Sequence, residues 1–168
     1  MKRIIALVDC NNFFVSCERL KNPELRGKAV CVLSNNDGCV VSRSNEAKRL
    51  GVAMGAPYFM IKHQFKKVTF LSGNLSYYCE ISKRIMDKLL DYTPDVEIYS
   101  IDEAFLDLTG LRKTFGCSYE EIIEKIVLDI ENEIGIPVSV GMSYSKTLAK
   151  LANDKAKNLQ KNTPNKRT

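Results

Sequence analysis

Three acidic residues carry the clearest chemical potential in this sequence. Asp9 closes the apolar run Ile4 to Val8, and Asp102 and Glu103 stand side by side between two further stretches, Val96 to Tyr99 and Ala104 to Leu108. Hard divalent ions such as Mg²⁺ take oxygen ligands, usually a few carboxylates completed by substrate phosphates, and two ions about 4 Å apart clamp an in-line phosphoryl displacement. An acid at a strand end or turn is by itself more often a solvated surface group, so the question is whether the fold brings these three together. Other chemistries have less to build on. The six cysteines (Cys10, Cys17, Cys31, Cys39, Cys79, Cys117) form no Cys-x-x-Cys pair and His63 is the sole histidine, which leaves too few ligands for structural zinc. Cys31, Cys39 and Cys79 read as small packed apolar groups rather than nucleophiles, and reduced thiols suit a cytoplasmic chain.

The elements that must position the acids follow from periodicity. Ile4 to Val8 reads as a strand buried on both faces, ending at Asp9. Residues 74–92 carry Leu75, Tyr78, Ile85, Leu89 and Tyr92 at helical spacing, with Ser82 the polar member of the stripe and Pro94 the stop. Val96 to Tyr99 and Ala104 to Leu108 are short enough in their connection to form a hairpin. Ser118-Tyr119-Glu120-Glu121 is a capping box, and Ile122, Ile123, Ile126, Ile130 and Ile134 give the helix behind it a buried stripe that Gly135-Ile136-Pro137 ends. Val138 to Met142 is a last strand, and a final helix opens near Ser145, expected to turn Leu148, Leu151 and Ala152 inward.

Leaving out residues 10–73, the order is βαββαβ plus one helix, the split-βαβ or ferredoxin-like arrangement of an α+β fold. A right-handed crossover makes the first two strands parallel, and the third returns antiparallel beside the first. The end of the first strand and the hairpin turn then share one sheet edge, so Asp9, Asp102 and Glu103 converge. Residues 10–73 read as an inserted small α/β subdomain, with apolar stretches Ala29 to Leu33 and Cys39 to Val41 around the turn Asn35 to Gly38, and a helical segment Asn45 to Leu50 ended by Gly51. The domain reading is therefore 1–9 with 74–158 as one body, 10–73 as the insertion, and 159–168 as a polar, basic tail expected to fray.

At 168 residues, 45% hydrophobic and 27% charged, the chain is the size of one globular domain or a core with a subdomain. No apolar run approaches the roughly 20 residues that span a bilayer. The net charge of +5 is concentrated at the end: between Ser145 and Thr168, Lys146, Lys150, Lys155, Lys157, Lys161, Lys166 and Arg167 face only Asp154. Such a segment suits a polyanion, although a lysine-rich helix is also an ordinary solvated surface.

Asp9-Cys10-Asn11-Asn12-Phe13-Phe14 with Ser16-Cys17-Glu18, and Tyr99 through Asp107, resemble the two catalytic motifs of the Y-family translesion DNA polymerases. Leu33 through Val40 and Ser145 through Asn153 resemble the UmuC-like branch, catalytic subunits of the bacterial SOS polymerase, and the match covers about residues 3 to 158. The resemblance implies that the ferredoxin-like core is a polymerase palm and the insertion its fingers. It implies two Mg²⁺ ions, with Mn²⁺ as an alternative, held by Asp9, Asp102, Glu103 and the backbone carbonyl of Cys10. One ion would lower the barrier for attack by the primer 3′-hydroxyl and the other would hold the triphosphate and leaving pyrophosphate. Phe14 falls at the aromatic steric gate that excludes a 2′-hydroxyl. Phe13 is counted with Phe14 among the nucleotide-binding residues; the alternative is that both are core rings, the default for apolar residues near a strand end, and Phe13 is the better candidate for one. Lys157 matches the palm lysine that reaches the triphosphate. Lys48 falls at the corresponding fingers position, where related polymerases show Tyr-Glu-Ala-Arg and this chain has Asn45-Glu46-Ala47-Lys48; lysine lacks arginine's bidentate fork. The implied partners are primer-template DNA and deoxynucleoside triphosphates, with an accessory SOS subunit and a sliding clamp reached through other parts of the family's architecture, and no membrane.

The family continues into a last palm strand, a thumb and a little finger, none of which is present here, and residues 162–168 do not read as a strand. The expectation is a truncated gene product or a fragment that is weak or inactive alone. Rival readings are a nucleotidyl cyclase, which lacks its Gly-Gly-Asp-Glu-Phe type loop here, and a non-catalytic ferredoxin-like module binding nucleic acid or a partner. An RRM-like module would need stacking aromatics on central strands, and Val138 to Met142 offers none.

Overall fold

The computed structural model describes residues 2–162. Seven strands and seven helices follow in the order β1 (Ile5–Cys10), α1 (Phe13–Lys21), β2 (Val30–Leu33), β3 (Val40–Arg43), α2 (Asn45–Arg49), α3 (Tyr58–Ile61), β4 (Thr69–Ser72), α4 (Leu75–Leu89), β5 (Val96–Ile98), β6 (Glu103–Asp107), α5 (Leu111–Phe115), α6 (Tyr119–Glu133), β7 (Val138–Ser143) and α7 (Lys146–Asn162), with a 3₁₀ turn at Pro23–Leu25. They divide into two compact units: the N-terminal strand with everything after Ile81, and residues 12–81. The first two turns of α4 thus go with the inserted segment, eight residues beyond the boundary expected at 73. Helix α7 runs four residues into the expected tail, and the remainder, 163–168, lies outside the described residues.

The first unit is a four-stranded sheet of order β5-β6-β1-β7 in which every neighbouring pair is antiparallel. This is the ferredoxin-like order, with β5 and β1 parallel across β6. All six residues of β1 are buried, as a strand covered on both faces must be. Ile5 and Leu7 cluster with Phe105 and Ala149, so the face they share with Asp9 lies under α7. Helix α6, whose buried stripe is Ile122, Ile126 and Ile130, packs against β7 and starts on the complete capping box between Ser118 and Glu121.

The seating of α7 differs from the sequence expectation. Leu148 and Leu151 are 48% and 60% exposed, while Ala149 and Asn153 are buried. The cause is Gly141 on β7: a Cβ there would stand 2.2 Å from Asn153 N and 2.3 Å from the Ala149 carbonyl oxygen. With no side chain between them, helix and strand approach backbone to backbone, and only short side chains fit beneath. The leucines rotate outward. Leu75, also expected in a buried stripe, is exposed; Ile81 and Met86 are buried on α4 instead.

The second unit holds a three-stranded sheet of order β3-β2-β4, with β2 antiparallel to β3 and parallel to β4. Its core joins Cys31, Leu33, Val40, Ala47, Val52, Ile61 and Val68. Ser44 is fully buried and caps α2: its hydroxyl accepts from Ala47 N at 3.1 Å and Val30 N at 3.0 Å. Strand β4 and helices α1 and α3 have no counterpart in the periodicity reading. Helix α1 lacks a start signal because its N-cap, Asn12, sits in the left-handed region at φ 47° and makes no side-chain cap. Strand β4 has three half-covered residues and an exposed Ser72, and only pairing with β2 makes it a strand.

Candidate active site

Sheet register places the carboxylates. Asp9 and Glu103 are direct partners across β1 and β6, so both side chains project from the same face, the one under α7. Asp102 precedes Glu103 in the turn; its carbonyl accepts from Cys10 N at 2.9 Å, which ties the turn to the end of β1. Two further bonds anchor this edge. Asn11 N donates to the Pro137 carbonyl at 2.8 Å, and Ser82 on α4, the polar member of the expected apolar stripe, donates its hydroxyl to the Ile101 carbonyl at 2.6 Å. The buried serine thus holds the turn that carries the adjacent acids.

Each carboxylate has its own partner. Asp9, 8% exposed, meets Lys157 Nζ at 2.5 Å through Oδ1 and accepts from Asn153 Nδ2 at 3.4 Å through Oδ2. Lys150 Nζ lies 3.5 Å from both oxygens of Glu103, and Asp102 Oδ1 accepts from the Ser100 hydroxyl at 2.7 Å. Burial holds the Asp9 carboxyl above its ordinary value; Lys157 opposes this and nearby Glu103 adds to it. Among the described residues no three His, Cys, Asp or Glu side chains are gathered closely enough to hold an ion; Asp9 and Glu103 each face a lysine and Asp102 a hydroxyl. Topology brings Asp9 and Glu103 together on one face and sets Asp102 beside them.

The other expected site residues belong to the second unit, with the exception of Cys10 and Lys157. The Cys10 side chain is buried, on the alternate face of β1 from Asp9. Phe13 is buried and Phe14 half-buried, their centroids 5.8 Å apart. Phe14 stacks on Tyr78 at 4.5 Å and 18°, and Tyr78 donates its hydroxyl to Glu18 Oε1 at 2.6 Å. Burial and the Glu18 carboxylate both hold the Tyr78 phenol above its ordinary value. Phe14 and Tyr78 form part of the wall of an open hollow of about 550 Å³, with Ser34, Asn35, Asn36 and Val41. Lys48 Nζ contacts Asn12 Oδ1 at 2.5 Å, and Asn12 Nδ2 donates to Asn45 Oδ1 at 3.1 Å.

Burial pushes the Cys17 thiol up to about 12 and the Cys31 thiol up to about 11, so neither offers a thiolate nucleophile at neutral pH. Cys79, expected to pack, is exposed. Sequence reasoning missed Asn153, Lys150, Ser82 and the Glu18-Tyr78 tether. The first two had a signal, since Lys146, Lys150, Asn153 and Lys157 fall at i, i+4, i+7 and i+11 on one helix.

The impB/mucB/samB family matches residues 8–154. The chain is 46% identical over 162 residues to the protein UmuC of Salmonella typhimurium strain LT2, covering 95% of this chain and 38% of that protein. It is 37% identical over 162 residues to a DNA polymerase IV of Clostridium kluyveri, covering 95% of this chain and 40% of the relative. Among solved structures it superposes on DinB from Sulfolobus solfataricus with a TM-score of 0.83 and 33% identity, over 90% of this chain and 45% of that one. An insertion ternary complex of Dbh DNA polymerase gives 0.81 and 31%, over 90% and 46%. The chain spans about two fifths of the length of the curated relatives it matches.

Proposed function

The chain belongs to the impB/mucB/samB family, and from that membership we propose that it forms the palm and fingers of a Y-family translesion DNA polymerase. The proposed reaction is template-directed addition of deoxynucleotides to a primer 3′-hydroxyl, in DNA damage tolerance. The unit built on β1 and everything after Ile81 is the palm; residues 12–81 are the fingers.

The observation that carries this reading is the register pair Asp9 and Glu103, with Asp102 adjacent, on the sheet face that a basic helix covers. An all-oxygen donor set suits Mg²⁺ or Mn²⁺ rather than a thiophilic metal. Asn153 donates its Nδ2 to Asp9 and keeps its Oδ1 buried with no hydrogen-bond partner. Two such ions, when bound, supply Lewis-acid stabilisation to the attacking and leaving oxygens. Asp9, Asp102, Glu103 and the Cys10 carbonyl would hold them, and Lys157 would neutralise triphosphate. In the fingers, Lys48 and the amides opening α1 present positive potential to phosphates, and Phe14 leaves no room for a 2′-hydroxyl.

Primer extension by the polymerase carrying this segment tests the assignment. Asp9→Asn, Asp102→Asn and Glu103→Gln should each lower extension by orders of magnitude while circular dichroism stays unchanged. Near wild-type extension by Asp9→Asn would overturn it.

A further inference from the structure

Helix α7 packs on β7 and β1, and three of its lysines reach acids on three different strands. Lys146 Nζ meets Glu97 of β5 at 2.5 Å, Lys150 meets Glu103 of β6 at 3.5 Å, and Lys157 meets Asp9 of β1 at 2.5 Å. The order β5-β6-β1 in the sheet is the order 146, 150, 157 along the helix. Lys150 and Lys157 are two turns apart, so they share a face at 3.6 residues per turn. The ladder differs along its length in one respect that matters. The Lys146-Glu97 pair is open to water, with side chains 43% and 57% exposed, whereas at the Lys157-Asp9 end they are 27% and 11% exposed.

We propose that Lys157, supported by Lys150, is a resident counter-ion that competes with divalent metal for the palm carboxylates, and that an incoming triphosphate relieves the competition by drawing the ammonium onto its phosphates. The proposal rests on the reading of Asp9, Asp102 and Glu103 as metal ligands. Its physical basis is exclusion at one atom. An ammonium at 2.5 Å from Asp9 Oδ1 occupies the ground that a cation bonded to that oxygen at about 2.0–2.1 Å would need. Two cations at one carboxylate oxygen repel strongly where water is scarce. Removing the lysine without replacement leaves a buried, unpaired carboxylate, which is costly, so the exchange is favourable only when the metal arrives and the ammonium gains another anion. Lysine suits the task because it is a compact point charge on a flexible four-carbon stem.

Such an exchange couples the two ligands. Triphosphate strengthens metal binding, and by linkage metal strengthens triphosphate binding by the same factor, with couplings of this kind typically about 5-fold to 150-fold. A palm without nucleotide would remain largely metal-free at concentrations that load it once nucleotide is present.

Mn²⁺ binding to the 168-residue chain, read from the electron paramagnetic resonance of the free ion with no nucleotide present, tests this without requiring catalysis. Lys157→Gln and Lys157→Met, the latter keeping the packed stem, should bind Mn²⁺ about tenfold more tightly than the parent chain, within that coupling range, with unchanged circular dichroism. Asp9→Asn should remove the site from all of them. If both lysine variants bind Mn²⁺ no more tightly than the parent while Asp9→Asn still abolishes binding, Lys157 is only a structural tie and the counter-ion proposal is overturned, with the metal reading intact. If Asp9→Asn changes nothing, or no chain binds Mn²⁺, the metal reading falls and the proposal with it.

Discussion

The ring of Phe14 lies nearly parallel to that of Tyr78, 4.5 Å between centroids, and Tyr78 is tethered by its hydroxyl to Glu18. A ring that discriminates by excluded volume must not swing aside, and this stack supplies the stiffness. In the polymerase carrying this segment, Phe14→Ala should raise ribonucleotide use while largely sparing deoxynucleotide use, measured as the ratio of kcat/KM for the two sugars. Tyr78→Phe keeps the stack and should keep most of the discrimination, whereas Tyr78→Ala removes a buried ring and should also cost about 3–5 kcal/mol of stability. An unchanged ratio in a folded Phe14→Ala variant would leave Phe14 a packing residue.

Gly141→Ala should destabilise the first unit severely. The added carbon would collide with backbone atoms of Ala149 and Asn153, none of which can rotate away. Overpacking typically costs about 1–3 kcal/mol, and a backbone collision belongs at the upper end or beyond. Urea unfolding measures the loss. A difference below about 0.5 kcal/mol, the ordinary range for surface substitutions, would mean that α7 is not seated as described.

In the second unit, Arg19 Nη2 pairs with Glu46 Oε2 at 2.9 Å, both side chains largely covered. Burial raises the Glu46 carboxyl, but hydrogen bonds and the Arg19 guanidinium outweigh it and hold the group below its ordinary 4.5. A depressed carboxylate contributes stability that is present above pH 4.5 and disappears as pH falls through the lower, folded value. Glu46→Gln should therefore cost about 1 kcal/mol at pH 7, and the gap to the parent should close as melts are taken below pH 4.5. A gap that persists at pH 3 would place its origin outside this ion pair.

The 168-residue chain alone should bind primer-template DNA weakly and extend it near background with Mg²⁺ and all four deoxynucleotides. Placement of a 3′-hydroxyl within about 3–3.5 Å of phosphorus demands a firmly held duplex, and the concentrated positive charge of this chain is the lysine-rich segment after Ser145. Attraction of that kind weakens steeply with salt through counterion release. A binding titration between 50 and 200 mM salt, roughly the range over which such losses are large, should show it. Salt-resistant, robust extension would overturn this reading.

Much of this architecture was legible in residue patterns because the interactions involved are local. The capping box at Ser118 and Glu121, the Ile122-Ile126-Ile130 stripe and the aliphatic run of β1 each declare themselves within a few residues, and right-handed crossover geometry then places Asp9 beside Asp102 and Glu103. The second unit was read less fully. Its strand β4 exists through pairing with β2, residues 69–72 against 30–33, and α1 opens on a left-handed Asn12 that carries no capping signal. The face of α7 was decided by an absence of side chain at Gly141, a partner distant in sequence, so Leu148 and Leu151 turned outward although their hydrophobicity argued otherwise. Sequence determined which acids and which lysines the molecule has; only the packing of α7 on β7 and β1, with its lysines reaching toward β6 and β5, decided which lysine answers which acid, because long-range electrostatic pairing depends on helix rotation and strand order.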